Sequence, residues 1–130
     1  MPHNLTLQVI PEKYAVCKLA PGAPIPAEVS QEPYFSCMRT PEELSLVLRE
    51  TLVQPDWQVE PGWRIIKVLG PLDFSLVGVL LQLAEPLYQA RISIFVTSTY
   101  DTDYLMVKGS VLGPAVAALR ASGIEVFWGE

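Results

Sequence analysis

Short runs in which apolar and polar residues alternate recur along this chain, broken by proline and glycine. In "LTLQVI" (5–10), Leu5, Leu7 and Val9 fall on one face, the period-two pattern of a half-buried strand. "YAVCKL" (14–19) predicts a second strand after the break at Pro11, and "YFSCMR" (34–39) a third. The proline-rich stretch between them, "APGAPIPAEVSQEP", reads as a loop with room for one helical turn near 27–30. In "TPEEL", Thr40 as N-cap, Pro41 at the first helical position and Glu43 three residues after the cap form a capping box and predict a short helix. "LSLVLRE" (44–50) then alternates like a strand, although the same letters could continue that helix. Residues 51–62, "TLVQPDWQVEPG", read as a linker, and "WRIIKVLG" (63–70) as a strand. "PLDFSLVGVLLQLA" opens a helix at Asp73, whose side chain suits an N-cap. Leu76, Val77, Val79, Leu80, Leu81, Leu83 and Ala84 cover nearly its whole circumference, which predicts burial on more than one side. One sheet covers one side, so a second unit or a second subunit is expected over the other. Glu85 precedes Pro86, and a kink or restart is expected there. Strands at 91–100 and 103–109 are joined tightly, "PAVAALRASG" forms a helix that Gly123 stops, and "IEVFW" (124–128) is the last strand.

The second half thus reads strand, helix, strand, strand, helix, strand, the ferredoxin-like plan. The first half echoes it. At an offset of sixty, "FSCMRTPEELSLVL" lies on "FVTSTYDTDYLMVK", aligning Phe35 with Phe95, Glu43 with Asp103 and Val47 with Val107. "KLAP" (18–21) likewise resembles "KVLGP" (67–71). The expected fold is α+β: two ferredoxin-like βαββαβ units, 1–60 and 61–130, the first abbreviated, with antiparallel sheets and the helices on one face.

Composition narrows the function. Half of the 130 residues are apolar and 18% are charged, so the chain can bury a core. Its apolar runs fall short of the ~20 residues of a membrane span. The start, "MPHNLTLQV", lacks the pattern of a secretion signal, so a cytoplasmic protein with no membrane partner is expected. The net charge is −5 and the nine basic residues are scattered, which argues against nucleic acid. Cys17 and Cys37 lie in apolar strands and are expected as two buried thiols, with a disulfide left open. The single histidine, His3, sits at an end expected to fray, so neither a Ser-His pair nor a metal site is expected. No phosphate-binding loop occurs, and no cofactor is expected. Asp101 and Asp103 as an acid/base pair is the one catalytic alternative; a non-enzyme is the favoured reading.

The segment "STYDTDY" (98–104) interrupts a strongly apolar hairpin with hydroxyls and two carboxylates. Aspartate is an ordinary turn residue, because its side chain can bond its own backbone, and capping alone accounts for Asp73. Position supplies the case for a site. In a ferredoxin-like unit the turn after the first strand, Gly70 to Phe74, and the hairpin end, Ser98 to Asp103, can lie close together. Free N–H groups at a helix start attract a carboxylate, and clustered aspartates attract an ammonium or guanidinium group. A free amino acid carries both ends.

The stretch 63–108, with "GPLDFSLVGVL", "ISIFVTSTYDTDYLMV" and the earlier "FSCMRTPEELSLV", closely resembles the ACT-domain family, in particular the small two-ACT proteins and the related CASTOR arginine sensors. That resemblance implies tandem ferredoxin-like units that bind amino acids or similar small metabolites, in a regulatory or sensing role and often as a homodimer. It places Leu72, Asp73 and Phe74 on the ligand-facing loop, and Ser98, Thr99, Tyr100, Asp101 and Asp103 on the ligand-facing strand end. The expectation is a non-enzymatic amino-acid-binding module; the alternative is a structural or protein-interaction module with a vestigial pocket.

Overall fold

A computed structural model describes residues 3–73 and 77–129. The chain forms two compact units, an N-terminal unit of Glu12–Trp63 and a C-terminal unit that joins Met1–Pro11 to Arg64–Glu130. This differs from a division at 60/61 in chain order, because the first strand belongs with the second half.

The C-terminal unit contains β1 (Thr6–Val9), the later part of β5 (Gln58–Val68), α1 (Val79–Gln89), β6 (Phe95–Ser98), β7 (Asp103–Lys108), α2 (Leu112–Ala121) and β8 (Glu125–Trp128). Its strands run in the order β6-β7-β5-β1-β8. From β5 onward this is the expected βαββαβ order, and β1 is inserted between the first and last strands of that plan. β1 pairs antiparallel with β5, Leu7 opposite Val68, and parallel with β8, Leu7 opposite Val126. The alternating residues Leu5, Leu7 and Val9, with Ile66, Val68, Leu105, Val107 and Val126, join the buried faces of both helices in one core, so the helices cover one face of the sheet.

The structure corrects the reading of α1. The helix starts at Val79 with Gly78 at its N-cap, five residues beyond the position expected from Asp73. Only one stripe is deeply buried, Val79, Leu83 and Leu87 at i, i+4 and i+8, while Leu81 is 66% and Leu80 46% exposed. Burial all round is therefore not met within the chain. Pro86 does not end or restart the helix, which runs on to Gln89. An internal proline costs roughly 3 kcal/mol; full burial of Leu83 and Leu87, each worth about 1.5–3 kcal/mol, offsets it. At the end of α2, Gly123 takes φ +92°, and the N–H groups of Gly123 and Ile124 donate to the carbonyls of Arg120 and Leu119 at 3.0 and 3.1 Å, the two bonds of a Schellman stop.

The N-terminal unit has strand order β3-β4-β2-β5, with β2 (Tyr14–Leu19), β3 (Ser36–Arg39), β4 (Leu44–Arg49) and the first part of β5. In chain order this again is the ferredoxin-like arrangement, but 3₁₀ turns at Val29–Gln31 and Glu50–Leu52 stand where helices would be. The core of Ala15, Cys17, Val29, Leu44, Leu46 and Leu48 is covered by loop residues that include Trp57. The expected helix at Thr40 is absent. Thr40 Oγ1 does accept from the N–H groups of Glu42 and Glu43, each at 3.1 Å, but inside the β3–β4 hairpin turn. The expected linker is partly strand, since β5 begins at Gln58 and runs through Pro61 and Gly62 opposite a register shift between Tyr14 and Val16.

Cys17 is buried, and burial pushes its thiol up to about 11. Cys37 is exposed, against the expectation of two buried thiols, because β3 lies at the edge of its sheet. Both thiols are free, and both residues lie opposite Leu46 on either side of β4. Two strand spacings, roughly 9.5 Å, exceed what a disulfide spans.

Candidate ligand-binding cleft

The β6–β7 hairpin closes with Ser98 opposite Asp103, leaving a four-residue connection, 99–102. Thr99 builds the turn. Its N–H donates to the Thr102 carbonyl at 2.8 Å, and its Oγ1 accepts from the Thr102 N–H at 3.2 Å. Thr102 is only 6% exposed, and its hydroxyl donates to the Val68 carbonyl at 2.6 Å, fixing the turn to the end of β5. The loop leaving β5 is fixed to the same turn, because the Leu72 N–H donates to the Asp101 carbonyl at 2.7 Å. Gly70 makes this approach possible. A Cβ there would meet Leu72 N at 3.0 Å, the Asp101 carbonyl oxygen at 3.1 Å and Thr102 Cβ at 3.2 Å. The Gly70–Pro71 peptide is cis.

Loop and turn border an open cleft of about 280 Å³, lined by Leu72, Asp73, Val79 and residues 98–103. Leu72, Asp73, Ser98, Thr99, Tyr100, Asp101 and Asp103 are all on its walls; Phe74 lies outside the described residues. Two lining residues were missed from sequence. Val79 enters because α1 starts late, and Thr102 because a buried hydroxyl inside an acidic turn leaves no periodic trace. Asp103 accepts from the Ser98 hydroxyl at 2.6 Å, so part of the polar apex is internally satisfied. Tyr100 is 82% exposed.

Asp73, Asp101 and Asp103 all line the cleft, and among the described residues no lysine, arginine or histidine does. Such a wall favours an ammonium or guanidinium group. The start of α1 at Val79 adds the positive end of a helix dipole, suited to a ligand carboxylate. Among the described residues no three of His, Cys, Asp and Glu gather to hold a metal ion. His3 does not fray. The Gln82 side chain accepts from its N–H at 2.8 Å and donates to its carbonyl at 2.6 Å, fastening the chain start to α1.

The ACT-domain family model matches residues 58–121, and a model of a separate N-terminal domain matches 12–56. The human protein named cytosolic arginine sensor for mTORC1 subunit 1 is 34% identical over 59 residues, 45% of this chain and 18% of that protein. The aligned stretch therefore spans less than a fifth of that relative. A crystallographically solved protein from Agrobacterium tumefaciens is 30% identical, with a TM-score of 0.92 over 99% of this chain and 96% of that one. The regulatory subunit of aspartate kinase from Thermus thermophilus shares the fold at a TM-score of 0.63 and 10% identity, over 89% of this chain and 96% of that one. The ACT match lies on the strands and helices that build the cleft, so the C-terminal unit carries an ACT domain, and over a short stretch the chain is similar to a cytosolic arginine sensor.

Proposed function

We propose that the C-terminal unit binds a free amino acid or similarly small metabolite, and that the chain is a non-enzymatic, cytoplasmic regulatory module acting as a homodimer. The observation that carries this reading is the cleft where the Gly70–Asp73 loop meets the acidic hairpin turn. Its volume of about 280 Å³ lies at the lower edge of small-molecule sites, roughly 300–1,000 Å³, and suits an amino acid more than a nucleotide. The named arginine sensor among its relatives supports an amino-acid ligand and a cytosolic setting. Among the described residues no helix is long and apolar enough to cross a membrane. The exposed Val77, Leu81 and Tyr88, 84%, 66% and 73% accessible, supply an apolar face for a second copy. A ligand that binds one arrangement of the copies better than another shifts their population by that difference in affinity.

Thermal unfolding tests the reading. At a hundredfold excess over Kd a ligand adds about 2.7 kcal/mol, a rise of several degrees in Tm. Basic amino acids are expected to produce it, and Asp101→Asn to remove most of it. No shift with any amino acid at millimolar concentration would refute ligand binding. It would leave the second reading, an interaction module with a vestigial pocket, which the self-satisfied Ser98–Asp103 pair and the exposed apolar face favour. Sedimentation is expected to give a dimer that Leu81→Glu dissociates.

A further inference from the structure

The two hairpins are one device used twice, at an offset of fifty-nine rather than sixty. Ser36 pairs with Val47 and Arg39 with Leu44, as Phe95 pairs with Met106 and Ser98 with Asp103. Thr40 N–H donates to the Glu43 carbonyl at 2.8 Å, the length of the Thr99–Thr102 bond, and Thr40 Oγ1 accepts from the Glu43 N–H at 3.1 Å. At this offset Glu42 takes the place of Asp101. The loop after the first strand of the plan is again tied to the hairpin. Arg39 donates from Nη2 to the Ala23 carbonyl at 2.9 Å and from Nη1 to the Pro21 carbonyl.

A cleft lies there too, within the N-terminal unit, of about 600 Å³. Residues of the 19–26 loop form part of its wall; Lys18, Glu42, Gln54, Asp56, Trp57 and Gln58 supply its chemistry. The Trp57 ring is half-buried against the core. Among the described residues the C-terminal cleft has carboxylates alone as charged side chains; this one combines a cation, two carboxylates and an aromatic ring. A ligand ammonium is stabilised by carboxylates and by an aromatic face, and a ligand carboxylate by lysine. We propose that the cleft between the 19–26 loop and the β3–β4 turn is a second small-molecule site, for a zwitterion carrying an ammonium group at one end and a carboxylate at the other. It stands on its own residues and does not require the C-terminal cleft to bind anything.

The experiment is a titration of the ¹⁵N-labelled chain with L-lysine, with cadaverine, which lacks the carboxylate, and with hexanoate, which lacks the ammonium. The readout is the Trp57 indole N–H signal, identified by its loss in Trp57→Phe. Lysine is expected to move it saturably at millimolar concentration. Cadaverine and hexanoate should each bind more weakly by about tenfold, the effect of ~1.4 kcal/mol. Asp56→Asn with Glu42→Gln should weaken lysine by at least about tenfold, again ~1.4 kcal/mol, and Asp101→Asn should change nothing at Trp57. Hexanoate binding as well as lysine would overturn the ligand class, and a Trp57 signal unmoved by lysine would overturn the site. The Asp101 and Thr102 amides report the other cleft in the same spectra, so movement there without movement at Trp57 refutes this proposal and leaves the reading of the C-terminal unit standing.

Discussion

The two units share a strand plan and a hairpin turn but stabilise them differently. In the C-terminal unit two helices seal one sheet face over sixteen clustered apolar residues among those described; in the N-terminal unit a cluster of six is covered by loops and 3₁₀ turns. Helices bury long stripes and leave little room between loop and turn, so the C-terminal cleft is small. Loops bury less and leave a cleft about twice as large. Shrinking the crossovers thus exchanges core for cavity on one topology.

The strongest test of that contrast removes β1. Deleting residues 1–10 takes away Leu5, Leu7, Val9 and Ile10, all buried, and the pairing of β1 with β5 and β8. At about 1.5–3 kcal/mol per buried side chain, the loss rivals the whole stability of a domain, ~5–15 kcal/mol. Hydrogen exchange is expected to show the amides of β7 and α2 unprotected. Protection retained there would mean that β1 merely decorates the sheet.

Next in size is Gly70→Ala. The new methyl would press on backbone atoms of both loop and turn, which cannot swing aside, at a cost of about 1–3 kcal/mol in urea unfolding. The N-terminal unit already carries Ala20 at the position matched through "KLAP" and "KVLGP", so Ala20→Gly should cost less than Gly70→Ala. Equal costs would break the claim that the C-terminal loop sits closer to its turn.

Thr40→Val and Thr99→Val each remove a side-chain acceptor from an equivalent turn. Each should cost about 1 kcal/mol, and similar values would sharpen the equivalence of the hairpins. A neutral Thr99→Val beside a costly Thr40→Val would dissolve it.

The smallest effect is confined to acid. Arg49 donates to Glu32, Nη2 to Oε2 at 2.9 Å, and these hydrogen bonds, with the guanidinium charge, hold the Glu32 carboxyl below its ordinary 4.5 although burial opposes them. A carboxyl depressed by folding adds stability that is present above 4.5 and is lost as pH falls through the lower folded value. Glu32→Gln should therefore be less stable than the parent near neutrality, and the gap should close as pH falls through the lowered Glu32 value. A constant gap would assign the loss to packing. In the C-terminal hairpin, Ser98 and Asp103 stand at the positions of Arg39 and Leu44, and a hydroxyl-to-carboxylate bond joins them across the turn.

Much of this architecture was legible in the sequence, because strand burial imposes a period of two: Leu5, Leu7 and Val9, and Leu44, Leu46 and Leu48, lie buried on the faces that alternation selects. The repeat was legible but one residue out of register, since apolar strands align nearly as well at sixty as at fifty-nine, and only backbone pairing decides between them. Thr40 reads as a helix cap because a cap and a tight turn use the same hydroxyl-to-amide bonds; only the backbone beyond Glu43, helical or extended, distinguishes them, and here it is the extended β4. Asp73 does lie beside the hairpin turn, yet α1 takes Gly78 as its N-cap and starts at Val79. The larger cleft escaped the sequence altogether. Its wall comes from a proline-rich loop with no periodicity, and its Trp57 lies in a segment that reads as linker.

The placement of β1 also sets an order of events at the ribosome. Leu7 leaves the exit tunnel well before its antiparallel neighbour Val68 in β5, which emerges only after the N-terminal unit, and Val126, opposite it in β8, follows later still. Within its own sheet β1 stays unpaired until β5 follows and half-paired until β8 does, while Glu12–Trp63 can close as soon as β5 appears. A chain that stalls or is clipped before β8 would carry a finished first unit and a β1 strand bare along its β8 edge, a state open to pairing with the wrong partner.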